Sequence, residues 1–264
     1  MMQALIGYSG FVGSTLLKQA QFAARYRSTN IHEIAGQSFD AVYCAGAPAQ
    51  KWLANKDPAG DLARIKALIA QLQTVGCGQF VLISTVDVFG NPQGVDEQSR
   101  VEERGLHAYG LHRRMLEQFV MDHFPSHLIV RLPGLVGPGL RKNIIYDLLN
   151  NNNLHAIESR NVFQFYPMVN LYYDIQIALQ AGLKLIHLTA APISVAEIAQ
   201  QGFGRSFTQQ LSGPLLRYDL RTRHEDVYGC GVDYQYSVRE TIQAVRAYAQ
   251  SEPLATIADK KASA

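Results

Sequence analysis

A doubly wound α/β fold, a parallel sheet with helices on both faces, is predicted by three observations. Near-continuous apolar runs of strand length alternate with amphipathic helical stretches from residue 3 to residue 190. A glycine-spaced turn follows the first run and opens a helix. The stretches between runs are long enough for right-handed crossovers, which lay successive strands parallel. Such a sheet holds its ligands outside the carboxyl ends of its strands.

The elements follow in order. "QALIGY" (3–8) is a buried strand and "FVGSTLLKQAQ" (11–21) a helix. "FDAVYCAGA" (39–47) is a strand, "DLARIKALIAQLQTVG" (61–76) a helix and "QFVLIST" (79–85) a strand. A helix spans "AYGLHRRMLE" and continues to Val120, and "SHLIVRLPG" (126–134) and "LKLIHLTA" (183–190) supply the last strands. From residue 134 the texture changes: helical patterns are interrupted by Gly, Pro and an Asn run. The expected organisation is therefore one unit over 1–250. Its dinucleotide-type core comprises 1–133 and about 154–190, a small discontinuous substrate region comprises 134–153 and 191–250, and 251–264 form a flexible tail.

With 47% hydrophobic and 17% charged residues among 264, the chain can bury a substantial core. Its 24 Lys and Arg against 22 Asp and Glu give a net charge of +2 without any run of five like charges, so neither nucleic acid nor a membrane is an expected partner. No apolar run approaches the roughly 18 residues of a membrane span. The start has no basic region before its apolar stretch and no cleavage site after it, which predicts a strand rather than a signal peptide. Three widely spaced cysteines, Cys44, Cys77 and Cys230, fit neither a disulfide framework nor a zinc ribbon. They read as small core residues of a cytoplasmic protein.

"IGYSGFVGSTLL" places Gly7, Gly10 and Gly13 at three-residue intervals between a strand and a helix. Glycine permits the tight turn, lets backbone approach a pyrophosphate, and leaves room for the helix to pack on the strand. The free N–H groups at the helix start, from Phe11 and Val12 onward, favour phosphate. A structural turn without ligand has the same spacing. About 20 residues on, where a carboxylate would hold a ribose diol, "ARYRSTNIHEI" offers Arg25, Arg27 and Ser28 before Glu33. A 2′-phosphate suits that end better, which tilts the expected cofactor from NAD toward NADP; an exposed basic loop is the alternative.

On a helical wheel Tyr109 and Arg113 lie about 40° apart, at one edge of a stripe of Leu111, Met115, Leu116, Phe119 and Val120. A phenol ionises near pH 10, and a cation at about 4 Å in an effective dielectric of 20 interacts by about 4 kcal/mol, enough to lower it by about three units. Such a tyrosine is an acid/base near neutral pH. An isolated Y-x-x-x-R reads first as a packed tyrosine beside a solvated arginine. The stripe also allows a helix-paired homodimer, although a core-facing stripe would look the same.

The glycine turn, the "LISTVDVFG" strand end, the "YGLHR" helix and "RLPGLVGPG", in that order, resemble the extended short-chain dehydrogenase/reductases, the NAD(P)-dependent nucleotide-sugar epimerase and dehydratase group. The resemblance continues through "PISVAEIA" to "YDLRTRHEDVYG" and implies a Rossmann-like fold. It implies that Thr85 hydrogen-bonds the reacting sugar oxygen and that Tyr109 is the acid/base. Where the family has lysine four residues after the tyrosine, holding the nicotinamide ribose and lowering the phenol pKa, this chain has Arg113. Neighbouring His112 and Arg114 point to other sides of the helix. Leu132 and Pro133, with Gly134, match the loop beside the nicotinamide, and Ala45, Gly46 and Ala47 the small residues under the adenosine. Asp87, Asn143, Arg217 and Arg221 fall where relatives contact the substrate or its diphosphate. The adjacent acid pair of the dehydratases is absent, since Val86 precedes Asp87, which leaves epimerisation or carbonyl reduction of a small-molecule substrate, a nucleotide-linked sugar. The competing expectations are a non-catalytic dinucleotide-binding protein, for which Arg113 is the motivating departure, and an α/β domain that binds nothing.

Overall fold

The computed structural model describes residues 2–229 and 231–253. The expected core position of Cys230 and most of the expected tail lie outside them. Helix Val238–Ser251 runs one residue into the stretch expected to be tail. Two compact units divide the chain: unit 1 is Met1–Asn91, Glu97–Leu132 and Asn170–His187, and unit 2 is Pro92–Asp96, Pro133–Val169 and Leu188–Ala264.

Unit 1 is built on a six-stranded, wholly parallel sheet. Its first four strands are β1 (Gln3–Ile6), β2 (Ala24–Tyr26), β3 (Ser38–Cys44) and β4 (Gly76–Thr85). In space the order is β2, β1, β3, β4, then His127–Leu132, then Leu185–His187. This is the doubly wound arrangement expected from the apolar runs. From β1 the chain crosses one way to β2 and then back to β3, so the topological switch point lies between the carboxyl ends of β1 and β3.

Alternation along the strands sends side chains to two helical layers. Ala4, Ile6, Val42, Cys44, Phe80, Leu82 and Ile129 pack in one cluster with α3 (Pro58–Leu72), through Ile65 and Leu72, and with α4 (Ala108–His123), through Leu116 and Val120. Phe80 stacks on Phe124 at 4.2 Å between centroids. Tyr43 faces the other way: its ring meets Phe22 and Tyr172, and its hydroxyl accepts from Gln176 Nε2 at 2.9 Å. Tyr172 and Gln176 belong to helix Leu171–Gln180, whose Tyr172 N–H donates to Gln19 at the end of α1 (Phe11–Gln19). A short helix α2 (Lys51–Lys56), absent from the sequence reading, precedes α3. Asp57 caps α3 by accepting from Gly60 N, and Pro58 occupies its first turn.

The buried face of α4 differs from the expected stripe. His112, Arg113, Leu116, Glu117 and Val120 are buried, while Met115 is 37% exposed. Glu117 is wholly buried, and its carboxylate accepts from Ser84 Oγ at 2.6 Å and from Arg131 Nε and Nη2 at 2.9 and 2.7 Å. The charged residues replace apolar ones on this face because partners on β4, α3 and strand His127–Leu132 satisfy them.

Unit 2 contains three short ladders: Gly134–Val136 with Phe165–Pro167, Val162–Phe163 with Ile193–Ser194, and Gln93–Val95 with Asp219–Leu220. The first two draw residues 154–169, expected in the core, into this unit. Buried Gln164 joins segments by donating to Ala190 and Leu220 carbonyls and accepting from Leu220 N. Helix Val238–Ser251 opens on a reciprocal Ser237–Glu240 capping box and anchors through Tyr248 Oη to the Leu140 carbonyl.

Candidate active site

The glycine turn lies at the switch point. Gly7 has φ +83°, and a Cβ there would meet the Ala45 carbonyl oxygen at 2.3 Å, so the turn after β1 presses against the residue after β3. A Cβ on Gly13 would sit 2.1 Å from Gly7 O, which is how closely α1 approaches the turn. Gly46 is held similarly, its absent Cβ 2.8 Å from Ile6 Cγ2. Gly10 differs: its φ is −79° and a Cβ would find only Gly7 O at 3.5 Å. Nothing among the described residues requires glycine there. A small residue there leaves the backbone open to an approaching group, and no side chain caps α1 and no acid stands in its first turn among the described residues. The turn fits a pyrophosphate, with the first N–H groups of α1 from Phe11, Val12 and Gly13 as donors.

The end of β2 is basic and exposed. Asn30 organises it by accepting from Arg27 N at 2.8 Å and donating to Arg25 O, and Arg27 Nε donates to Thr29. The guanidinium of Arg27 stands 5.9 Å from the ring centre of Tyr8 in the glycine turn, with Ser28 exposed beside it. Ala45 and Ala47, with Gly46, follow β3, and Ala45 N continues the sheet by donating to Ile6 O.

Thr85 ends β4 and starts a 3₁₀ turn, Val86–Val88, accepting from Asp87 N at 3.1 Å. α4 begins against that turn: a Cβ on Gly110 would meet Asp87 O at 2.0 Å, and His107 Nδ1 caps the helix through Gly110 N. Tyr109, half-buried, is thereby brought beside Thr85, whose side chain favours the ionised phenol slightly. Its backbone N–H donates to Asn55 Oδ1 of α2 at 3.0 Å. From α2 also comes Lys51, whose Nζ lies 2.7 Å from Asp87 Oδ1. Leu132 pairs in register with Thr85 at the end of the neighbouring strand. Pro133 begins unit 2.

Arg113 is not at an edge. It is buried, with Nη1 2.5 Å from Asp61 Oδ2, Nη2 3.0 Å from Asp61 Oδ1 and a second Nη2 bond to the Pro48 carbonyl. Its guanidinium carbon is 4.0 Å from the Tyr109 ring centre, a cation on a π face. His112, expected on another side, shares the same carboxylate, its Nδ1 2.7 Å from Asp61 Oδ2. Burial would push the Asp61 carboxyl up, but the Arg113 and His112 hydrogen bonds and the arginine charge outweigh it and hold it below the usual range. Arg114 does point elsewhere, to Glu117 and Glu103.

The expected drop in the Tyr109 pKa is not found. Burial raises the phenol first, Arg113 opposes it, Asp87 adds to the rise, and the net direction is upward. The Arg113 charge does act on the phenol in the expected direction, but the cost of burying a phenolate exceeds it. His107 is lowered, by burial and then by Lys51. One donor of Arg113 remains: its buried Nε has no partner among the described residues. A ribose hydroxyl is the kind of acceptor that would satisfy it.

The other substrate candidates belong to unit 2. Asn143, at φ 107°, is a helix cap that accepts from Ile145 and Tyr146 N–H and donates to Leu135 O. Arg217 is exposed beside a bridge to Val162, and Arg221 pairs with Asp219 at 2.8 Å and Asp233 at 3.3 Å. Lys51, Asn55, Asp61 and His107 were missed by sequence reading. Only Asp61 carried a signal, as an acid interrupting the apolar face of a helical pattern.

The model of the NAD dependent epimerase/dehydratase family matches residues 24–159, just over half of the chain. The chain belongs to that family. No curated protein sequence matches it. Among solved structures, members with this fold include a UDP-galactose 4-epimerase, 17% identical with a TM-score of 0.70 over 95% of this chain and 98% of that one. A dTDP-4-dehydrorhamnose reductase from Clostridium acetobutylicum is 16% identical, with a TM-score of 0.72 over 95% and 99%. The same enzyme from Bacillus anthracis, solved in complex with NADP, is 14% identical, with a TM-score of 0.71 over 96% and 99%.

Proposed function

We propose that this member of the epimerase/dehydratase family is an NADP-preferring oxidoreductase acting on a nucleotide-linked keto sugar, with Tyr109 as its acid/base. The observation that carries the reading is Tyr109 beside the Thr85 hydroxyl at the carboxyl end of β4, in the same unit as a glycine turn with an unexplained Gly10. The dinucleotide, when bound, supplies or accepts the hydride. The Thr85 hydroxyl donates to the reacting oxygen and orients it. Tyr109, whose burial favours the protonated phenol, gives its proton to that oxygen as negative charge develops there. Arg113, against the ring face, steadies the phenolate left behind. Epimerisation, which uses the same residue first as base, is the second reading. The end of β2, where Arg27 and Ser28 are exposed and Glu33 is drawn in only through Asn30, supports NADP over NAD. Cytoplasm is the proposed location.

The test is Tyr109→Phe. NADPH oxidation in the presence of keto nucleotide sugars is expected to fall by about 10²–10⁴ with cofactor affinity unchanged. Unaltered turnover would refute the role of Tyr109. The non-catalytic alternative draws on the engagement of both Arg113 terminal nitrogens by Asp61 and Pro48 O. It would be favoured by cofactor release on denaturation of the purified protein together with absence of turnover on every sugar tried.

A further inference from the structure

We infer that Asp61 is a positioning residue for the reaction proposed above: it fixes the Arg113 guanidinium against Tyr109, cancels part of its charge, and so sets the pH at which the phenol ionises. The inference rests on Tyr109 being the acid/base. Asp61, Arg113 and His112 are 1%, 3% and 5% exposed, and all three meet at one carboxylate. Fork-to-fork pairing fixes the guanidinium plane, and the same plane lies 4.0 Å from the Tyr109 ring centre. Asp61 stands in the first turn of α3, where the helix end favours a carboxylate.

The carboxylate accepts from Arg113 at both oxygens and meets His112 Nδ1 at Oδ2, so both Asp61 oxygens are occupied. The cation under Tyr109 is therefore half of a buried, neutral pair. Arg113 lowers the phenol, and the carboxylate paired behind it works against that lowering. The other groups facing Tyr109 are Lys51 from α2, Asp87 and Thr85 from the end of β4 and its turn, and His107 from the cap of α4. Lys51 and Asp87 also form a pair, at 2.7 Å. Two cations near the phenol are each matched by an acid, and Asp61 holds its partner by a bidentate bond.

Tyrosine ring-carbon NMR on the full-length, cofactor-free protein reads the Tyr109 ionisation directly, with its resonance assigned by loss in Tyr109→Phe. Asp61→Asn keeps an acceptor for the guanidinium and removes the charge. The Tyr109 midpoint is expected to fall by about one pH unit, the scale on which a neighbouring unit charge acts in an effective dielectric of about 20. An unmoved or raised midpoint in folded Asp61→Asn overturns the proposal. If that variant does not fold, Asp61→Ser, smaller and also neutral, is read by the same two outcomes. A falling midpoint in a protein that turns over no keto sugar supports the charge coupling and counts against the reaction instead, so the two failures are separable. With turnover present, the same downward shift is expected in the Tyr109-dependent limb of the kcat profile.

Discussion

Two demands fall on Arg113: the fold uses its terminal nitrogens to satisfy Asp61 and Pro48 O, and the site uses its charge against Tyr109. Lysine at this position brings a single ammonium in place of a planar fork. Arg113→Lys is therefore expected to lower stability by about 1–3 kcal/mol, since one carboxylate oxygen loses its buried donor. A shifted urea midpoint checks this, and turnover is expected to fall with it; a gain of turnover would mark a decayed site. Asp61 also gives a pH dependence. Its folded pKa lies below the ordinary value of 3.8, so its contribution is complete above that value and is lost as pH falls below it toward the folded pKa. Parent and Asp61→Asn are expected to differ in urea stability at neutral pH and to converge in acid below about pH 4. The burial of Arg113, His112 and Glu117 was illegible in sequence. Hydrophobic periodicity counts only apolar residues, and the partner Asp61 lies 52 positions from Arg113 in the chain.

At the scale of elements, the parallel sheet was legible because its strands are nearly continuous apolar runs that only a two-sided core explains. α2 was missed because "KWLANK" is one and a half turns of mixed polarity, too short for a periodic signal. The ladders of unit 2 are two or three residues long and equally silent. The glycine spacing was legible as a turn, but its three residues have different reasons, and these separate experimentally. Gly13→Ala forces a Cβ to within 2.1 Å of Gly7 O and is expected to destabilise by about 1–3 kcal/mol or more, seen as a lower melting temperature. Gly10→Ala meets no such obstacle, and its stability is expected to stay within about 1 kcal/mol of the parent. Its cofactor affinity, measured by titration calorimetry, is expected to fall sharply. Equal loss of affinity and stability in both would mean that the turn is only structural.

For the whole molecule, the near-balanced charge of +2 leaves no large field to attract an anionic cofactor, so local groups must supply its recognition. The candidate contacts to the dinucleotide, Pro133 apart, all belong to unit 1: the turn from Gly7 to Gly13, Arg27 and Ser28 after β2, Ala45 to Ala47 after β3, and Leu132. A ligand that binds only the folded chain stabilises it by about 2.7 kcal/mol at a hundred times its Kd. For a chain of this length that corresponds to a rise in melting temperature of about 5–10 °C. On the proposed reading NADP is expected to produce the larger rise and NAD a smaller one at equal concentration, because the exposed guanidinium of Arg27 suits a 2′-phosphate. Arg27→Ala is expected to bring the two curves together by lowering the NADP response alone, and amide exchange is expected to slow in the segments of unit 1 that carry the contacts. An NAD response that equals or exceeds that of NADP in the parent chain would assign Arg27 to the solvated surface and reverse the cofactor preference.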